Sequence, residues 1–141
     1  MAAFNKFNCF VQDVANKQHN LKSGTTDVFK IYLTNTAPVA ANTVYNTPIE
    51  ISAVNGYTAG GAVTATTGSQ SSATFTFFGT DVSWTAGGGS IGPFQYAVLY
   101  NATAVSKPLI GWWDYGAAIT LTKGNTFTVD LDQTNGILTI T

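Results

Sequence analysis

Apolar positions along this chain change their spacing once, near residue 24. Up to that point they recur at three and four. Ala3, Phe4, Phe7, Phe10, Val11, Val14 and Ala15 form one stripe on a 3.6-residue repeat, and Asn5, Lys6, Asn8, Gln12, Asp13, Asn16 and Lys17 fill the other face. The pattern predicts a short amphipathic helix within residues 1–20, ended by the HNLKSG stretch. Beyond Gly24 the period becomes two. VFKIYLT sets Phe29, Ile31 and Leu33 against Lys30, Tyr32 and Thr34, and PIEISA sets Ile49, Ile51 and Ala53 against Glu50 and Ser52. ATFTFF, DVSW, PFQYAVLYN, PLIGWWDY, AITLT, TFTVDL and GILTIT continue the series.

Asn55-Gly56, Lys123-Gly124-Asn125 and Asn135-Gly136 are turn signals between such runs. About nine strands joined by short turns predict an all-β fold, an antiparallel β-sandwich or jelly roll preceded by the helix. Two stretches interrupt the alternation. AVTATTGSQSSAT has no large side chain after Val63, and WTAGGGSIGP has the glycine content of a mobile or partner-shaped loop. Neither resembles a domain linker, and there is no internal repeat. The expectation is one domain over 1–141, with the helix in 1–20 and the sandwich in 25–141.

A chain of 141 residues buries roughly 68% of its unfolded surface, so it needs no disulfide or metal staple. Its one cysteine, Cys9, sits in FNCFV and reads as a small buried hydrophobe, which suits folding in a reducing compartment. The first residues lack the basic and apolar regions of a signal peptide, and no apolar run approaches bilayer length, so a soluble protein without a membrane partner is expected.

Charge changes the picture most. Charged residues make up 9% of the chain, against about 25% in typical domains. There is no arginine, and the net charge is −1. Without a basic stripe to neutralise phosphates, nucleic acid is not an expected partner. Weak repulsion between copies, with 45% hydrophobic and 13% aromatic residues, favours a surface that becomes covered in an assembly.

Catalytic groups are sparse. His19 is the only histidine and reads as a helix-end imidazole bonding backbone carbonyls. Glu50 is the only glutamate and alternates outward, solvated or in an interface. Asp130 and Asp132 share a strand face but lack calcium-loop spacing. GGGSIG lacks the lysine of a phosphate-binding loop, and Asn101-Ala102-Thr103 matches a glycosylation acceptor without a secretory signal. No catalytic residue, metal site or cofactor is expected.

The densest aromatic run is PLIGWWDYG. As a strand it places Leu109, Gly111, Trp113 and Tyr115 on one face and Ile110, Trp112 and Asp114 on the other. Trp113 then suits the core, and Trp112 with Asp114 becomes a candidate contact. Phe4 and Phe7 on the helix stripe and Ser90 and Ile91 after the glycines complete the expected partner interface.

FVQDVANKQHNL, DVFKIYLTNTAPVAANTVY, EISAVNGYTAGG, VSWTAGGGSIGPFQYAVLYN, KPLIGWWDYG and FTVDLDQTNGILTIT together resemble a family of small structural proteins of tailed bacteriophages. The resemblance runs over nearly the whole chain. It implies a non-enzymatic capsid decoration (cement) protein on the virion surface, made in the host cytoplasm. Its implied partners are the major capsid protein and two further copies of itself in a homotrimer. A tail, neck or fibre position is the alternative. A carbohydrate-binding module using Trp84, Trp112 or Tyr115 is a third reading, opposed by the alternation that separates Trp112 from Tyr115.

Overall fold

The computed structural model describes residues 2–141. The elements run β1 (Phe4–Lys6), α1 (Cys9–Ala15), β2 (Phe29–Thr34), β3 (Ala62–Thr64), β4 (Thr66–Ser71), β5 (Thr74–Gly79), β6 (Val82–Thr85), β7 (Ile91–Asn101), β8 (Leu109–Leu121), β9 (Thr126–Val129) and β10 (Leu138–Ile140). A five-stranded antiparallel sheet in the order β1-β8-β7-β2-β3 forms one layer. A three-stranded sheet, β10-β5-β4, and a two-stranded pair, β6-β9, lie against its inner face. The fold is all-β with one short helix, as expected, and sandwich-like.

Alternation in β2 builds both sides of the large sheet. Phe29, Ile31 and Leu33 point inward, where Phe29 meets Phe77 of β5 at 5.2 Å between ring centroids. Ala97 and Leu99 of β7 join them, and Phe94 meets Phe127 of β9 edge-on at 4.8 Å. This inner core holds most of the buried apolar surface. The outer face is buried too. Tyr32, Val98, Tyr100 and Leu109 form a second cluster with Phe7, covered by the long segment 35–61. Tyr45 of that segment stacks on Tyr100 at 4.7 Å, and the Tyr32 hydroxyl donates to the Pro48 carbonyl at 3.0 Å.

Several expectations are corrected. The helix is Cys9–Ala15 rather than most of residues 1–20, because Phe4–Lys6 pairs with β8 instead, Phe4 opposite Trp113 and Asn5 opposite Trp112. That pairing covers the otherwise open edge of β8 and packs the Phe4 ring on Trp113. PIEISA is not a strand. β2 is flanked by β7 along its length and by β3 at Phe29–Ile31, so room remains only beside Leu33 and Thr34. There Glu50 makes one bridge to Thr34, and the Ile51 N–H donates to the Leu33 carbonyl. PLIGWWDY and AITLT are one strand, β8.

AVTATTGSQSSAT holds two strands that alternation missed. β3 lies in the large sheet and β4 in the small one, the chain crossing between layers at Ala65. Small side chains suffice in β4 because the Phe75 ring lies over Gly68, where a Cβ would overlap it. The glycine-rich loop is held rather than free. The Asn55 carbonyl accepts from the Gly87 N–H at 2.8 Å, and the Asn55 side-chain amide donates to the Ser90 carbonyl at 2.7 Å. A side chain at Gly89 would crowd that amide, so residue 89 is glycine.

Candidate functional site

The expected contact residues do not share a surface. Phe7 and Ile91 have no exposed area and belong to the outer and inner cores respectively. Phe4 faces inward and packs on Trp113 at 5.2 Å. Ser90 is exposed, but on the loop clasped by Asn55. Trp112 is half-buried and Asp114 exposed, both on the outer face of β8.

A bulge sorts the side chains of β8. Leu99 pairs with Gly111 but Tyr100 pairs with Leu109, so Ile110 is an extra residue. Leu109 therefore joins Trp112 on the outer face, and Ile110 joins Trp113 in the inner core. Strict alternation had exchanged the two. Trp113 is a core residue, 3% exposed. Trp84 is buried in the same core, and Tyr115 packs on Phe127 there at 5.0 Å. The three aromatics of the carbohydrate reading thus have no common exposed face.

The candidate chemical groups take structural parts. Glu50 points into the molecule, not outward. Its Oε1 accepts from the Tyr57 hydroxyl at 2.6 Å and the Gly60 N–H at 2.8 Å, and its Oε2 accepts from the Tyr45 hydroxyl. The Tyr57 hydroxyl in turn accepts from the Leu33 N–H at 2.9 Å, tying segment 35–61 to β2. Burial, with the Glu50 carboxylate beside them, pushes the Tyr45 and Tyr57 phenols well above their ordinary value.

His19 is buried against Phe10 and bonds no carbonyl. Its Nδ1 lies 3.4 Å from the Asn101 amide, and its Nε2 has no partner among the described residues. Burial lowers its pKa from the ordinary 6.5, against the opposing pull of Asp13 and Asp27. Asn101 is fully buried. Its amide donates to the Gln18 carbonyl and to Asp27, and its Oδ1 accepts from the Thr103 and Ala104 N–H groups. The acceptor motif is therefore a turn within the fold.

Cys9 is half-buried, its Sγ directed at the carbonyls of Asn42, Thr43 and Leu109. Burial, with Asp13 nearby, pushes the thiol up to about 11. Asp132 accepts from Thr134 and Asn135 and shapes the turn before β10. Among the described residues no three His, Cys, Asp or Glu side chains gather as metal ligands, and no helix is long and apolar enough to cross a membrane.

Exposed apolar side chains are what sequence reading missed. Four lie on segments that bond to the 102–108 turn or to the start of β8. Val44 bridges to Pro108, Val105 is fully exposed at the tip of that turn, and the Val28 carbonyl accepts from the Ala102 N–H. Val39 is 56% exposed on the segment whose Asn42 and Thr43 carbonyls meet Cys9 beside Leu109. Two charges lie near these segments: Asp27, next to Val28 in the chain, accepts from the Asn101 amide at 2.8 Å, and the Lys107 ammonium lies over the Tyr45 ring at 5.3 Å. No period marks the four in sequence, because each lies in a turn or at a strand end. Val39 and Val44 show only as valines among Thr, Asn and Ala in LTNTAPVAANTVYN.

No family model, curated protein or solved structure matches the chain.

Proposed function

We propose that this protein is a non-enzymatic structural component of a tailed-phage virion that binds and stabilises the assembled capsid shell. The observation that carries the reading is the set of exposed valines, Val28, Val39, Val44 and Val105, on segments that meet the 102–108 turn. Monomeric soluble proteins rarely leave such residues together, and contiguous patches of this kind mark protein contacts. The low charge of the chain, 9% of residues, supports dense packing of copies, and the resemblance to phage structural proteins supplies the setting. A protein that binds the assembled lattice but not free subunits stabilises the lattice by mass action. Trimers at lattice threefolds fit that role, with the exposed valines turned to the shell or to neighbouring copies.

Tailless filled heads run on a denaturing gel test the reading. The expected result is this chain at a copy number comparable with the major capsid protein. About a dozen copies per particle would move it to a neck or tail position, and absence from particles would overturn the proposal. A Val44→Asp, Val105→Asp variant should keep its circular dichroism and melting temperature yet lose incorporation. Full incorporation of that variant would remove the exposed valines as the contact.

A further inference from the structure

The outer face of the large sheet carries a second and chemically different surface. Trp112 stands there partly exposed, its indole packed against the buried Phe7 ring at 4.5 Å. Phe7 cannot move without opening the outer core, so the indole is held before anything binds. Strand pairing decides its neighbours. Asn5 of β1 lies directly across from Trp112, and Asp114 follows two residues along β8 on the same face. Tyr96 of β7 lies across from Asp114. Adjacent strands are about 4.8 Å apart and same-face residues about 7 Å apart, so the four side chains span a patch of roughly 10 by 7 Å.

The polar groups around the indole are aimed and in part unoccupied. Asp114 Oδ1 accepts from the Gln95 amide at 2.9 Å and from the Gly116 N–H at 2.8 Å. These two donors fix the carboxylate and keep its pKa below the ordinary carboxylate value, so it is an acceptor at neutral pH. Among the described residues Oδ2 has no hydrogen-bond partner. The Asn5 amide donates to the Ala3 carbonyl at 3.2 Å, and its own oxygen has no partner among the described residues. Gly116, at φ +82°, opens a bulge of β8 whose exposed Gly116, Ala117 and Ala118 add no bulk beside the patch.

We infer that this face is a binding platform for an uncharged saccharide, one pyranose ring stacking on Trp112 with its hydroxyls donating to Asp114 and Asn5. A fixed indole presents the flat apolar surface that the C–H face of a pyranose covers. Hydroxyl groups are the donors that a carboxylate and a carboxamide oxygen lack here. A protein side chain would meet the same indole, but the two free acceptors and a patch of one or two sugar rings suit a polyhydroxylated ligand better. The Asp114 carboxylate disfavours uronic and sialic acids. This platform is separate from the exposed valines and does not depend on the virion reading.

The test is a printed array of neutral and anionic glycans probed with the full-length protein, followed by NMR titration of the Trp112 indole N–H with the best binder. Neutral glycans should bind, anionic ones should not, and the indole resonance should shift. Trp112→Ala should lose binding at least tenfold, and Asp114→Asn or Asn5→Ala several-fold. The latter two keep the Phe7–Trp112 packing and so guard against a folding defect in the first. An array with no signal above Trp112→Ala overturns the proposal. So does binding that survives all three changes, or incorporation into particles that fails in Asp114→Asn while no glycan binds, which would make the face a protein contact.

Discussion

Glu50 is a carboxylate with three donors closing on it, and no amide can replace it without turning one of its own donors toward a tyrosine hydroxyl. Glu50→Gln should therefore cost about 1–3 kcal/mol, the usual penalty for leaving a covered polar group unpaired. The denaturant midpoint should fall with an unchanged slope. His19 gives the chain a pH dependence of definite sign. Its folded-state pKa lies below the unfolded 6.5, so the unfolded chain takes up more protons as pH falls. The stability it contributes is complete above about pH 6.5 and is lost on acidification below that value. Unfolding free energy should be lower at pH 5 than at pH 7.5, and His19→Asn should flatten the slope in that interval. Asp114 and Asp132, both held below their ordinary values by hydrogen bonds, act only below about pH 4, outside this window. Cys9, with its thiol pushed up to about 11, should react with an alkylating reagent at pH 7.5 far more slowly in the folded protein than in denaturant.

At the level of elements, glycine positions decide which strands can exist. Gly61 has φ +74°, and a Cβ there would overlap the Ile31 carbonyl, so the chain enters β3 only because residue 61 has no side chain. Gly61→Ala should cost about 3 kcal/mol or more, with lost amide protection over Ala62–Thr64. Such close approaches also explain what could be read beforehand. β2, β5, β6, β7, β9 and β10 were legible because large residues alternate across a two-sided layer. β3 and β4 were not, since Phe75 supplies the bulk that Gly68 lacks and the partner sits on another strand. PIEISA kept the alternation but found no vacant edge beside β2. In the site, Trp113 was legible as core and Trp112 as its opposite. The exchange of Leu109 and Ile110 was hidden, because a bulge is set by the partner strand rather than by the run that contains it. The Glu50 cluster was equally hidden, since its tyrosines become neighbours only when segment 35–61 folds over the sheet.

For the molecule as a whole, the crossing at Ala65 makes one continuous run, β3 into β4, a member of both layers. The layers cannot part without breaking that run. Thermal unfolding followed by tryptophan fluorescence, which reports on Trp84 and Trp113 in the inner core and Trp112 outside it, should coincide with the loss of far-ultraviolet ellipticity. Two separate transitions would show that the small sheets melt independently.

The pairing of β1 with β8 also orders events during synthesis. Phe4 has no strand to join until Trp113 has left the ribosome, and Phe7 has no shelter until Leu109 and Trp112 are in place. The aromatic stripe of residues 4–10 is thus made about a hundred residues before the strand that covers it. A nascent chain stalled before residue 109 should expose Phe4, Phe7 and Phe10 together. It should be held by chaperones or aggregate, and release of the last strands should close the fold in one late step.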